Sequence, residues 1–226
     1  MKFDTSPIWI SFKTGAVTIV ITFFLGILAA RWVVTRKKDS IKALMDGIFT
    51  LPLVLPPTVM GFILLCIFGT KRPVGAFFDK VFDFKIAFSW AATVIAAVVI
   101  SFPLMYRAAR GAFEQVDSEL INAGRTLGMS EHRIFWKVIV PNSVPGIVSG
   151  GVLAFARGLG EFGATAMLAG NIAGKTRTLP LAVYSEVAAG RMDTAARYVL
   201  VIVIICFAAV IGMNIYQSVI KRRQGR

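Results

Sequence analysis

The run from Tyr198 to Val219, YVLVIVIICFAAVIGMNIYQSV, contains no Asp, Glu, Lys or Arg. A helix of ~20 such residues spans the hydrocarbon of a bilayer, and a soluble core rarely has room for one. Four more apolar segments share its character: Ile8 to Val34, Gly47 to Phe68, Ile86 to Tyr106, and Val144 to Ala169. Lipid offers a backbone no hydrogen-bond partners, so each segment is expected to be helical. A membrane strand would need polar and apolar residues to alternate over ten-residue units, and none do. The expected fold class is an all-α integral membrane protein with five transmembrane helices.

Composition agrees. Of 226 residues, 56% are hydrophobic and 16% charged, and the mean hydropathy is +0.72. A soluble domain has roughly a quarter of its residues charged. The formal charge of +13 would suit a nucleic-acid binder, but the charges lie between apolar blocks, as in a membrane protein. No nucleic-acid partner is expected. Cys66 and Cys206 both sit inside apolar runs, which leaves no disulfide framework or metal spacing to build. No catalytic residue and no metal ligand is assigned.

The first segment has two readings, a signal peptide or a retained anchor. Arg31, Arg36, Lys37 and Lys38 after it outnumber Lys2 and Lys13 before it, the reverse of a signal peptide. It is expected to remain as an anchor. With the N-terminus outside and the C-terminus in the cytoplasm, the inner side holds fourteen basic residues. These are Arg31, Arg36, Lys37, Lys38 and Lys42, then Arg107, Arg110, Arg125, Arg133 and Lys137, then Lys221, Arg222, Arg223 and Arg226. The outer side holds nine. The excess favours that orientation.

The longest polar insert, Arg107 to Asn142, falls on the cytoplasmic side and reads as a helical hairpin. Asp117 or Ser118 can cap a first helix. Leu120, Ala123, Gly124 and Leu127 then fall on one face. Gly128 is the expected left-handed stop. Ser130 can cap a second helix, and Pro141 is expected to close it. Small residues flanked by polar ones suit a groove in another protein better than a lipid surface.

The loop resembles the signature of permease subunits in binding-protein-dependent ABC importers. That signature reads Glu-Ala-Ala, three residues, Gly, nine residues, Ile-x-Leu-Pro. Here Asn122-Ala123-Gly124, Gly128 and Val138-Ile139-Val140-Pro141 keep the spacing. The departures are Asn for Glu, Gly for Ala, and Val for both Ile and Leu. The stretches Leu51 to Pro57, Gly158 to Thr165, and Gly170 to Pro180 look like molybdate permease subunits, which are closely related to the sulfate permeases.

The resemblance implies a single transmembrane permease domain over 1–226, the MetI-like fold of small importers, and a coupling hairpin at about 111–141. It implies the cell inner membrane, a second copy of the chain, an ABC ATPase dimer on the hairpin, and an external molybdate-binding protein. Glu119, Asn122, Ala123, Gly124, Leu127, Gly128 and Pro141 are the residues it assigns to coupling. The substrate would be molybdate or tungstate, with sulfate or thiosulfate as the alternative. The chain has no Gly-x4-Gly-Lys-Ser/Thr loop and so no phosphate cradle of its own. ATP and magnesium belong on the partner, and no cofactor is expected here. An ion-coupled carrier would need membrane acids and related halves. A membrane enzyme would need a convergent reactive cluster.

The pathway or gate candidates mostly carry two readings. Pro52, Pro56 and Pro57 mark either the lead-in to a helix beginning near Thr58 or a kinked span that a gate can bend. Arg157 and Glu161 are either a structural i, i+4 pair or a functional intramembrane charge. Thr165 is a further pathway or gate candidate, and Asn171 and Arg177, with Lys175, Thr176 and Thr178, either receive an oxyanion or form a solvated loop. Gly146, Gly150, Ala154 and Gly158 form a stripe that allows close helix approach, within the subunit or between two. Both readings put the fourth span at the centre of the protein. His132, the only histidine, is expected on the surface of the hairpin.

Overall fold

Helix α1, Ser6–Val34, opens with Pro7, whose fixed φ suits a first turn and whose missing N–H would be unpaired there anyway. The Asp4 side chain accepts a hydrogen bond from the Ser6 N–H at 2.9 Å. The structure is a computed structural model describing residues 3–36 and 38–224, without the side chains of 221–224. Lys2, Lys37 and Arg226, three of the charges weighed for orientation, lie outside it, as do the side chains of Lys221, Arg222 and Arg223.

After α1 come α2 (Asp39–Val54), α3 (Pro57–Phe68), α4 (Pro73–Phe82), α5 (Trp90–Glu114), α6 (Ser118–Thr126) and α7 (Glu131–Ile134). A π-helical stretch, Phe135–Ile139, leads into α8 (Val140–Leu159). Then follow α9 (Gly163–Leu168), α10 (Leu179–Ala188) and α11 (Met192–Gln224). Among the described residues four helices are long and apolar enough to cross a membrane, five if the bent pair α2–α3 counts as one span. The helical fold class and span number thus agree with the sequence reading.

Helix α5 is the axis of the bundle. In its apolar window 56% of residues are buried, against 28% in α1 and in the α7–α8 helix and 6% in α11. The fourth span, α8, packs along this axis. Its small-residue stripe does face the centre. A Cβ on Gly150 would stand 2.3 Å from Ala108 Cβ, and one on Gly146 2.7 Å from Ala112 Cβ. Gly158 lies against Thr18 of α1. The stripe packs within the subunit, on α5 and α1.

Between α1 and α5 runs a buried hydroxyl seam. Thr14 meets Thr93 at 3.0 Å, and Thr22 meets Ser101 at 3.3 Å, both pairs separated by 79 residues. The shared offset means the helices run parallel and in register. The same offset carries Thr18 to Ala97, and Thr18 Oγ1 is buried with no partner among the described residues. Tyr198 at the start of α11 donates to the Asp4 carbonyl at 2.7 Å. The N-terminus and the start of α11 thus share the end of the bundle opposite the hairpin.

Candidate coupling hairpin and paired helix breaks

The hairpin forms because both of its helices are capped at their starts and the first is closed by a left-handed turn. Asp117 accepts from the Glu119 N–H at 2.8 Å, and Ser130 accepts from the Arg133 N–H at 3.4 Å. Between them Gly128 takes φ +72°. Its N–H donates to Arg125 O at 2.9 Å, and the Met129 N–H donates to Gly124 O at 3.0 Å. These two bonds are the paired closure that a left-handed residue makes after a helix. Arg125 fastens the two helices, donating to Glu131 at 2.7 Å and to Asn122 Oδ1 at 3.0 Å. Asn122, which stands where the resembling family has Glu, is therefore engaged within the hairpin.

Leu120, Ala123 and Leu127 form the exposed apolar stripe, with Leu127 80% exposed. Glu119 and Asn122 are also exposed. Gly124 does not join that face. It is buried, and a Cβ there would stand 3.2 Å from Ile134 Cγ1. Counting residues around a helix cannot tell which side a neighbouring turn will cover. Pro141 does not close the second helix either. It sits in the first turn of α8, and helix runs on from Glu131 to Leu159. The wider π-helical turn ends just before it, at the point where a proline supplies no N–H.

A second locus is built from two breaks. Helix α2 ends at Val54. Leu55 and Pro56 are extended, and α3 leaves at 111° to α2. Pro52 lies inside α2, Pro56 caps α3 and Pro57 is its first residue. The prolines thus mark both a helix start at Pro57, next to the expected Thr58, and a bent break before it. Gly160 to Phe162 interrupt the chain between α8 and α9, and Gly163 packs on Pro57. On the next turn a Cβ at Gly61 would stand 2.7 Å from Ala164 Cα.

Glu161, 2% exposed, has both oxygens engaged. One accepts from Arg157 Nη1 at 2.8 Å, the other from the Ala164 N–H at 2.8 Å. It pairs with Arg157 and caps α9, which is the structural reading of that pair. The Arg157 side chain keeps 32% exposure, so its cation remains open on one side. Thr165 is buried in α9 beside this region. Asn171 and Arg177 lie elsewhere, in the loop before α10. Asn171 donates to Ser185 Oγ at 2.6 Å and accepts from Arg177 Nε at 2.8 Å. Among the described residues no hydrogen bond joins that loop to the breaks.

Two polar clusters escaped the sequence reading. Asp46 of α2 accepts from both the Tyr106 hydroxyl and Arg110 of α5, while Arg110 Nε donates to Glu114 at 2.8 Å. They line a cavity of about 410 Å³ with Thr50, Arg107 and Gly111. The spacing of Tyr106, Arg110 and Glu114 by four residues was a usable signal; the partner on α2 was not. The other cluster joins Arg31 to His132 across 101 residues of sequence.

The sequence pattern of the family described as binding-protein-dependent transport system inner membrane component matches residues 22–226. The chain belongs to that family. It is 41% identical over 202 residues to a putative molybdenum transport system permease protein, YvgM, of Bacillus subtilis (strain 168), covering 89% of this chain and 88% of that one. It is 40% identical over 227 residues to the molybdenum transport system permease protein ModB of Escherichia coli (strain K12), covering 98% and 99%. The fold is similar to a chain in inward-facing structures of the MetNI methionine ABC transporter. The TM-score is 0.73 at 17% identity, over 92% of this chain and 91% of that one. Such identity speaks to the fold alone. Family membership makes this a multi-pass membrane permease component, a pore subunit and not an enzyme. Permeases of this family serve binding-protein-dependent transport.

Proposed function

We propose that this permease carries molybdate, with tungstate as an equivalent cargo, inward across the inner membrane as a pair of identical subunits. The observation that supports the cargo is the near-full-length identity to the two molybdenum transport permeases. The hairpin lies in the cytosol and seats its Leu120, Ala123 and Leu127 stripe in the ATPase, with Glu119 and Asn122 at the rim. Gly124, Gly128 and Pro141 shape the hairpin from within. The N-terminus is outside and the C-terminus inside, in keeping with the excess of basic residues toward the hairpin end.

The external binding protein releases the dianion near the loop of Asn171, Lys175 and Arg177. ATP closes the ATPase pair, the hairpins move as levers, and the subunits open outward. Hydrolysis returns them inward. The elements built to bend are the twin breaks, one carrying Pro52, Pro56 and Pro57 and touching Gly163 of the other through Pro57, since a broken helix has no ladder of bonds to resist bending. Glu161, fully paired, adds no bare negative charge to the path, and Arg157 offers a cation at the same level. Selectivity rests mainly with the binding protein.

The test is uptake into proteoliposomes holding the permease, its ATPase and its binding protein. Molybdate should enter only with ATP, and tungstate, not sulfate, should compete. Sulfate uptake with molybdate inert would move the reading to a sulfate permease. Orientation is read separately by impermeant labelling of Ser130→Cys in intact cells, which should fail.

A further inference from the structure

Helix α1 and the hairpin meet at one guanidinium. Arg31, in the last turn of α1, has Nη2 2.9 Å from His132 Nδ1. Its Cζ stands 4.6 Å from the centre of the Phe135 ring and 5.6 Å from that of Trp136. Phe135 is buried and packs edge-on against Phe113 of α5 at 5.1 Å. It meets Trp136 at 5.1 Å, and Trp136 meets His132 at 6.4 Å. One cation of α1 is thus held by three rings at the junction of α7 and the π-helical turn, and one of those rings is fixed to α5. A guanidinium can stack on rings and donate in its own plane at once, which an ammonium cannot.

Arginine only donates, so the His132 nitrogen facing it is the acceptor of this contact. From α1 only Arg31 bonds to His132, while Arg36 is turned onto Trp32 at 4.3 Å. Glu131 and Arg133 flank it on its own helix, and Arg125 of α6 is already paired with Glu131. A second proton on the ring would remove the acceptor and set two positive charges face to face.

We propose that Arg31 is a positioning residue that ties α1 to the hairpin, and that protonation of His132 releases the tie. Displacement of the hairpin is then passed to α1 through Arg31 as well as to α8 through the continuous helix. The inference rests on the reading of the hairpin as the element that the ATPase drives.

The test uses the full chain with its ATPase in nanodiscs, Cys66 and Cys206 replaced by Ser, and spin labels at Thr35→Cys and Thr126→Cys. At pH 8 the distance between labels should be the same with and without ATP. With Arg31→Ala it should change on adding ATP, and molybdate taken up per ATP in proteoliposomes should fall by about two- to fivefold, the weight of a cation–π contact at an exposed site. Arg31→Lys should fall between. In acid, at about pH 5, the unsubstituted chain should behave like Arg31→Ala. His132→Gln, which keeps an acceptor and cannot titrate, should hold the distance at both pH values. A distance that moves in the unsubstituted chain at pH 8, or that stays fixed in Arg31→Ala, overturns the tie. Equal acid sensitivity in His132→Gln overturns the release. A complex that holds the distance as described yet takes up no molybdate supports the tie and counts against the transport reading alone.

Discussion

Gly163 lies so close to Pro57 that a β-carbon built on it would stand 3.0 Å from the proline Cβ and 3.1 Å from the Thr58 nitrogen. Both residues begin helices that resume after a break. The two interruptions therefore touch, and a change in one is felt by the other. Gly163→Val should cost about 1–3 kcal/mol by overpacking and should depress uptake more than Gly163→Ala does. Thermal unfolding in detergent and ATP-driven uptake, measured side by side, check this. A valine variant with unaltered melting and transport would separate the breaks from the pump cycle.

Gly128 has φ +72° and nothing within 4 Å of where a Cβ would stand. Any penalty at this position therefore arises in the backbone and not from crowding. Gly128→Asn should be mild, because asparagine tolerates the left-handed region, while Gly128→Val should cost roughly 1–3 kcal/mol. The valine variant should lose the ATPase on affinity purification and the asparagine variant should keep it. Equal retention by both would mean that the turn does not hold the hairpin in its docking shape.

Ala97→Ser is expected to stabilise the bundle. The 79-residue offset sets Ala97 opposite Thr18, whose hydroxyl is buried without a partner among the described residues. A serine there would supply the missing partner, at roughly 0.5–1.5 kcal/mol for a hydrogen bond between helices in a membrane. The melting temperature should rise, and Thr18→Val should abolish the gain. A rise that survives in the Thr18→Val background would point to packing instead.

At the opposite end of the bundle Glu186 accepts from Arg191 Nε at 2.5 Å and from Nη2 at 3.1 Å. That hydrogen bonding holds its carboxyl below the ordinary value of 4.5; burial opposes the shift, and the Arg191 and Arg177 charges add to it. A carboxylate with a depressed folded value stabilises the fold above its unfolded value and loses that contribution as pH falls through the folded one. Glu186→Gln should thus melt lower than the unsubstituted chain at pH 7, and the gap should narrow steadily as the pH drops below about 4.5. A gap that stays constant down to pH 3 would show that the pair contributes nothing through charge.

The sequence was most informative where a single residue type dictates local geometry. Asp117, Gly128 and Ser130 do what capping chemistry requires, and the apolar runs became helices because lipid leaves no alternative. It was silent wherever the answer depended on a partner distant in the chain. The prolines at 52, 56 and 57 fix where N–H groups are missing, but neither the 111° bend nor the packing of α9 on α3 is written in them. Gly124 looked like part of the docking face until Ile134 covered it. Pro141 looked like a stop because the π-helical turn before it leaves no mark in composition. Arg31 read as an orientation charge and His132 as a surface residue, and only the folded chain brings them together.

The constant offset between Thr14 and Thr93, and between Thr22 and Ser101, limits how this molecule can move. If α1 slid along α5 by one turn, both hydroxyl pairs would part in an apolar interior with no water to receive them. Sliding is thus opposed by the same seam that tolerates rotation of the pair as a unit. Among the modes by which packed helices rearrange, shear is disfavoured here and hinging is left. The first and third spans should accordingly keep one separation in every state of the transport cycle, serving as the fixed reference against which the other displacements can be measured.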